Sequence, residues 1–298
     1  MHFLSTIEAR GTALRKGDND IMPPTGRERF TQLVSGPEEV LDLAEAALLI
    51  AQEEQPNLDV SVYLQRLDEL AGAVRARLSA SPSPADIVLQ LNIQLFREEG
   101  FQGNTSAYYD PANSFLNEVP DRKTGIPITL SVVYLEVGRR LGLPLVGVGF
   151  PGHFLVKYTG PDGDVVLDPF LGGITLDHQQ LRHKLQTMYG EQNPLLDQLP
   201  QLLAPASKKE ILLRMLRNLK GVYLQKNDFP RALSVIERIL LVEPNVPMEI
   251  RDRGSVHQRL GHVQAALQDF QRYLTLAPRA DDAEAVRVMV QRMTAQLN

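Results

Sequence analysis

Apolar positions recur along this chain in three patterns, and each pattern predicts its own kind of element. From Val40 to Ala51, the residues Val40, Leu41, Leu43, Ala44, Ala47, Leu48, Leu49 and Ala51 make a broad helical face. Pro37 suits the first turn of that helix, Glu38 and Glu39 suit its positive end, and Pro56–Asn57 ends it. Val62, Leu64, Leu67, Leu70, Ala71, Val74 and Leu78 step by three and four, predicting a second helix over about 60–78. A third helix spans roughly 84–98 and closes at Gly100. Residues 1–36 read as a polar N-terminal extension in which Phe30, Leu33 and Val34 hint at a short helix.

The second pattern is apolar on most sides. Ile128, Leu130, Val133, Tyr134, Val137 and Leu141 predict a core helix that opens at Gly125–Ile126–Pro127 and stops at Gly142–Leu143–Pro144. The third pattern is short and rich in Val, Leu and Phe: LVGVGF, HFLVKY and DVVLDPF, separated by Pro–Gly and Gly–Pro–Asp–Gly–Asp turns. Residues 145–170 are therefore expected to form a small antiparallel sheet on the 125–141 helix. Ahead of it, GNTSAYYDPANSFL is loop chemistry, followed by a short helical segment at 113–119. Residues 176–189 suit a helix, and the proline-rich 193–206 suits a linker.

Beyond Ser207 the chain repeats itself. Ala232–Leu233 matches Ala266–Leu267 and Pro244 matches Pro278, both at an offset of 34 residues, the tetratricopeptide period. The first helices begin near Ser207 and Val246, with Tyr223 and His257 at matching places, and 281–296 suits a capping helix. Two units and a cap are short for such an array, so it is expected to lean on the preceding domain.

Composition narrows the chemistry. The chain has 298 residues, 43% hydrophobic and 22% charged, which allows about two globular domains. A net charge of −5 argues against nucleic acid as a partner. No apolar run is long enough to cross a membrane, and the early sequence lacks a signal core, so a cytoplasmic setting is expected. With no cysteine, disulfides, thiolate metal sites and thiol catalysis are excluded. The six histidines show no metal-ligand spacing; no metal and no cofactor is expected.

What remains is His153, placed on one predicted strand, and Asp168 on the next. A thiol amidase keeps its base and orienting carboxylate in that way, opposite a nucleophile at a helix N-terminus. Asn113, Asn117, Tyr108 and Tyr109 are the nearby loop residues with groups to offer a pocket there. The bland alternatives are a core histidine satisfied by a carboxylate, and a loop whose asparagines bond its own backbone.

The order helix, Leu141–Gly142–Leu143–Pro144, Gly152–His153, Leu167–Asp168–Pro169 resembles the transglutaminase-like (papain-like) fold. The closer resemblance is to the bacterial SirB-like family, a transglutaminase-like domain followed by tetratricopeptide repeats. Its motifs stand here as LAEAALLIAQEE, GNTSAYYDPANSFLNEV, RKTGIPITLSVVYLEVGRRLGLP and GVGFPGHFLVKY. The resemblance implies an α+β domain over 37–192 with a helical first part and a small antiparallel sheet, then the linker and all-α repeats over 207–298. It implies no established reaction. It also puts Pro127 where the nucleophilic cysteine stands in thiol enzymes of this fold, and proline has neither a nucleophilic side chain nor an amide N–H. Thr129 and Ser131 are the nearest hydroxyls, one helical step or two away. The expectation is a non-catalytic protein that binds a protein or peptide partner. The rivals are a hydrolase or transferase using His153 and Asp168 without a thiol, and a protein whose repeats alone are functional.

Overall fold

In this computed structural model, which describes residues 24–161 and 163–297, the chain enters through a helix. Helix α1 (Gly26–Ser35) is capped by Thr25, whose side chain and that of Glu28 satisfy each other's backbone N–H groups. It buries Phe30 and Val34 and packs on α2 (Leu43–Glu54). Of the stretch read as a polar extension, residues 26–35 thus belong to the packed body, and residues 1–23 lie outside the described residues. Helices α3 (Val60–Arg75) and α4 (Pro84–Asn92) follow, capped by Asp59 and Ser83. Ile93–Glu98 continues α4 in wider π-type turns.

Strand β1 (Gln102–Gly103) pairs in parallel with β2 (Thr124–Gly125), which ties together the two ends of the Asn/Tyr loop. The segment expected to be helical at 113–119 is divided. A 3-10 turn covers Pro111–Ser114, and α5 (Glu118–Arg122) comes after it. Helix α6 (Pro127–Arg140) is then buried without interruption from Pro127 to Gly138.

Strands β3 (Leu145–Val148), β4 (Leu155–Gly160), β5 (Gly163–Asp168) and β6 (Ile174–Leu176) form an antiparallel sheet. Their side chains alternate between two cores. Val156 and Leu167 face the main core, which holds α6. Leu155 and Val166 face a smaller one made with Leu181 and Leu185 of α7 (His178–Tyr189). The residues expected as a linker complete this second core. Leu196 and Leu199 are buried in it, Leu199 opening the short helix α8 (Leu199–Leu202). Pro205–Ala206 is a seventh strand, β7, that closes the sheet in the order β6-β5-β4-β3-β7. Proline is acceptable there because β7 is an edge.

The repeat helices are α9 (Lys208–Gln225), α10 (Phe229–Val242), α11 (Pro247–Arg259), α12 (Val263–Leu276) and the terminal α13 (Ala283–Leu297). One hydrophobic core runs from Phe30 and Leu49 through α6 to Ile236 and Phe270, so the repeats and the first domain are packed as one body. Across this junction Arg238, 2% exposed, donates to the Leu49 carbonyl at 2.8 Å, lies 5.2 Å from the Phe30 ring and pairs with Glu53. Glu54 pairs with Arg231 at 2.9 Å. The two glutamates join α2 to α10.

Candidate functional site

Helix α6 begins with Pro127, whose missing N–H would have had no partner in the first turn in any case. The cap is supplied from inside the helix. The Ile126 N–H donates to Thr129 Oγ1 at 3.1 Å, and the Thr129 hydroxyl donates onward to the Asn113 carbonyl at 2.8 Å. Thr129 therefore spends its only hydroxyl proton on the loop. Ser131 is fully buried. Neither hydroxyl is presented as a nucleophile.

His153 is not in a strand. It ends the tight turn Phe150–His153, its N–H donating to the Phe150 carbonyl at 3.0 Å, two residues before β4 starts. The Pro151–Gly152 pair makes this turn, Gly152 at φ +64°. Asp168 closes β5 and caps the 3-10 turn Pro169–Leu171, accepting from the Phe170 N–H at 3.2 Å. His153 Nε2 lies 3.0 Å from each oxygen of Asp168. The carboxylate, fully buried, is also 3.4 Å from Lys184 Nζ of α7. Burial pushes its pKa up, but the hydrogen bond and charge of His153 and the charge of Lys184 outweigh this, holding it below the ordinary value.

An ionised Asp168 accepts, so in the neutral imidazole the proton sits on Nε2 and Nδ1 keeps a lone pair. Among the described residues Nδ1 makes no hydrogen bond to the protein, and the side chain is 14% exposed. The geometry is what the base-and-orienter half of a thiol site needs, with one ring nitrogen held and the other free.

Phe170 connects this half to the helix start. Its ring stands edge-on to His153 at 5.8 Å, and it lies over Gly103, where a Cβ would come within 2.6 Å of the ring. Gly103 pairs with Gly125, two residues before Pro127. Pro127 itself is buried.

The remaining loop residues have other duties. Asn113, fully buried, donates to the Ala107 and Tyr108 carbonyls at 2.7 and 3.1 Å and accepts from Asn104 at 3.0 Å. It holds the loop's own shape. Asn117 donates to Gln55 Oε1 at 2.8 Å, at the end of α2. Tyr108 and Tyr109 are 39% and 60% exposed and stand edge to face at 5.4 Å. Burial, opposed by the charge of Arg214 in α9, pushes the Tyr108 phenol up. The loop thus packs toward the repeats, and none of these four residues hydrogen-bonds His153 or Asp168.

Lys184 and Phe170 are the site residues that sequence reasoning missed. Lys184 belongs to a helix with no motif of its own. Phe170 follows Asp168–Pro169, so its closeness to the aspartate was the one available signal.

Residues 61–217 match the transglutaminase-like superfamily, and residues 219–291 match the tetratricopeptide repeat. A UPF0162 protein of Xylella fastidiosa (strain Temecula1 / ATCC 700964) is 41% identical over 258 residues, 87% of this chain and 92% of that protein. A UPF0162 protein of Vibrio cholerae is 30% identical over 261 residues, 86% of this chain and 94% of the relative. Protein SirB1 of Salmonella typhimurium is 25% identical over 249 residues, 83% of this chain and 91% of its own. The chain belongs to the transglutaminase-like superfamily, within the UPF0162/SirB1 group in which that domain is followed by tetratricopeptide repeats.

Proposed function

We propose that this protein is a non-catalytic member of its family that binds a protein or peptide partner and acts by that binding. The observation that carries the reading is the start of α6, where the resemblance leads one to expect a nucleophile. Pro127 is buried and has no reactive group, and the nearest hydroxyl, Thr129, is committed to the Asn113 carbonyl. The His153–Asp168 pair remains, with Nδ1 free to accept a hydrogen bond from a bound group. Tetratricopeptide arrays supply extended faces for peptides, and here the array shares a core with the domain that holds the pair. The organisation proposed is a transglutaminase-like domain and a repeat domain acting as one unit, in the cytoplasm.

A second reading is favoured by one distance. The 3.0 Å between His153 Nε2 and Asp168 suits a general base acting through water. Selection from a random peptide library on the full-length protein separates the two. Saturable binding that weakens at least about tenfold in His153→Ala, about 1.4 kcal/mol, supports binding at this pair. Peptides cleaved by the wild type and left intact by His153→Ala overturn it in favour of the second reading.

A further inference from the structure

The two repeats differ where their helices meet. In the first, helix α9 ends in a turn at Asn227, and the Asp228 N–H donates back to the Tyr223 carbonyl at 2.9 Å. In the second, Gly261 takes the same left-handed conformation, φ +77° against +57°, and the His262 N–H donates to the His257 carbonyl at 2.9 Å. This helix-ending turn folds residue i+5 back over residue i, which no helical spacing would do. Asp228 uses its side chain to cap α10 through the Arg231 N–H. His262 makes no side-chain cap for α12.

A good cap is thus absent at 262, and an imidazole takes its place at the same point where the repeat's tyrosine has become His257. The two rings face each other, Nδ1 to Nδ1 at 3.2 Å. Tetrahedral coordination with bonds of 2.0–2.1 Å puts neighbouring ligand nitrogens about 3.3 Å apart. The other nitrogen of His257, Nε2, faces the buried carboxylate of Asp269 at 4.0 Å, and Arg253 fixes that carboxylate with bonds of 2.7 and 2.6 Å. At 4.0 Å this is a charge contact rather than a hydrogen bond, and a carboxylate on that side favours the proton on Nε2, which leaves Nδ1 for a metal.

We propose that His257 and His262 form a bis-imidazole site for a divalent transition metal of the zinc and copper class, bound through the two Nδ1 atoms. The described residues contain no group of three or more metal-ligating side chains, so water fills the remaining positions. His262 is exposed and gives the ion access.

The test is calorimetric titration of the chelator-treated full-length protein with zinc chloride alone, repeated with copper sulfate. Two variants restore the first repeat's logic: His257→Tyr, and His262→Ser, which supplies a cap but a poor ligand. The expected result is one saturable site in the wild type, weakened at least about tenfold in each variant, together with a zinc-dependent rise in Tm that both variants lose. His262→Ser is expected to melt higher than the wild type without metal, so loss of binding there is not loss of fold. Equal binding in wild type and variants, or no saturation below about 1 mM, overturns the proposal and leaves a pair of histidines sharing one proton.

Discussion

His153 Nε2 is equidistant, at 3.0 Å, from the two oxygens of Asp168, so the imidazole sits astride a buried carboxylate.

The sign of the pH dependence follows from that pairing. Asp168 has its carboxyl held below the ordinary value. Such a group contributes stability that is present above the unfolded pKa of about 3.9 and is lost as pH falls through the folded one. Asp168→Asn is expected to cost about 3–5 kcal/mol at neutral pH, because it leaves Lys184 and His153 facing a neutral group. It should also flatten the loss of stability below about pH 4. Urea unfolding of both proteins across that range checks this; parallel acid profiles would contradict it.

Thr129 is a structural hydroxyl. Thr129→Val leaves the Ile126 N–H and the Asn113 carbonyl unpaired inside the protein. A loss of about 1–3 kcal/mol is expected, with peptide binding unchanged once the protein is folded. Denaturation curves and a binding titration read the two effects separately.

Gly103 makes room for Phe170. A Cβ there would lie 2.6 Å from the ring, so Gly103→Ala forces the ring to shift and costs about 1–3 kcal/mol. The His153 imidazole proton resonances are expected to move in the NMR spectrum as the edge-on ring leaves. Unmoved resonances would show that Phe170 does not position His153.

Arg238→Ala removes a buried cation between the repeats and the first domain and leaves Glu53 without that partner. A cost of about 3–5 kcal/mol is expected. Because the core is continuous, the variant should still melt in one transition. Two separated transitions in calorimetry would mean that the halves fold independently.

The long helices, the core helix and the 34-residue repeat were legible because each leaves a period in the chain. The nearness of His153 to Asp168 was legible too, through the hairpin that joins them, although His153 stands in the turn before β4 and not on the strand. What escaped reading has no local period. Lys184 reaches Asp168, and Glu53 reaches Arg238, across the fold. Strand β7 hides in a proline-rich stretch because an edge position tolerates what a central strand would not. The meeting of His257 with His262 depends on a turn, where helical spacing gives the wrong answer.

Turnover is the measurement that bears most closely on the proposed non-catalytic role. Wild type and His153→Ala are compared on activated esters, peptide amides and amine-transfer substrates, at matched concentration and with folding verified. The expected result is no turnover above background in either protein. Turnover by the wild type that disappears in His153→Ala would contradict a non-catalytic role and show that the His153–Asp168 pair works without a thiol.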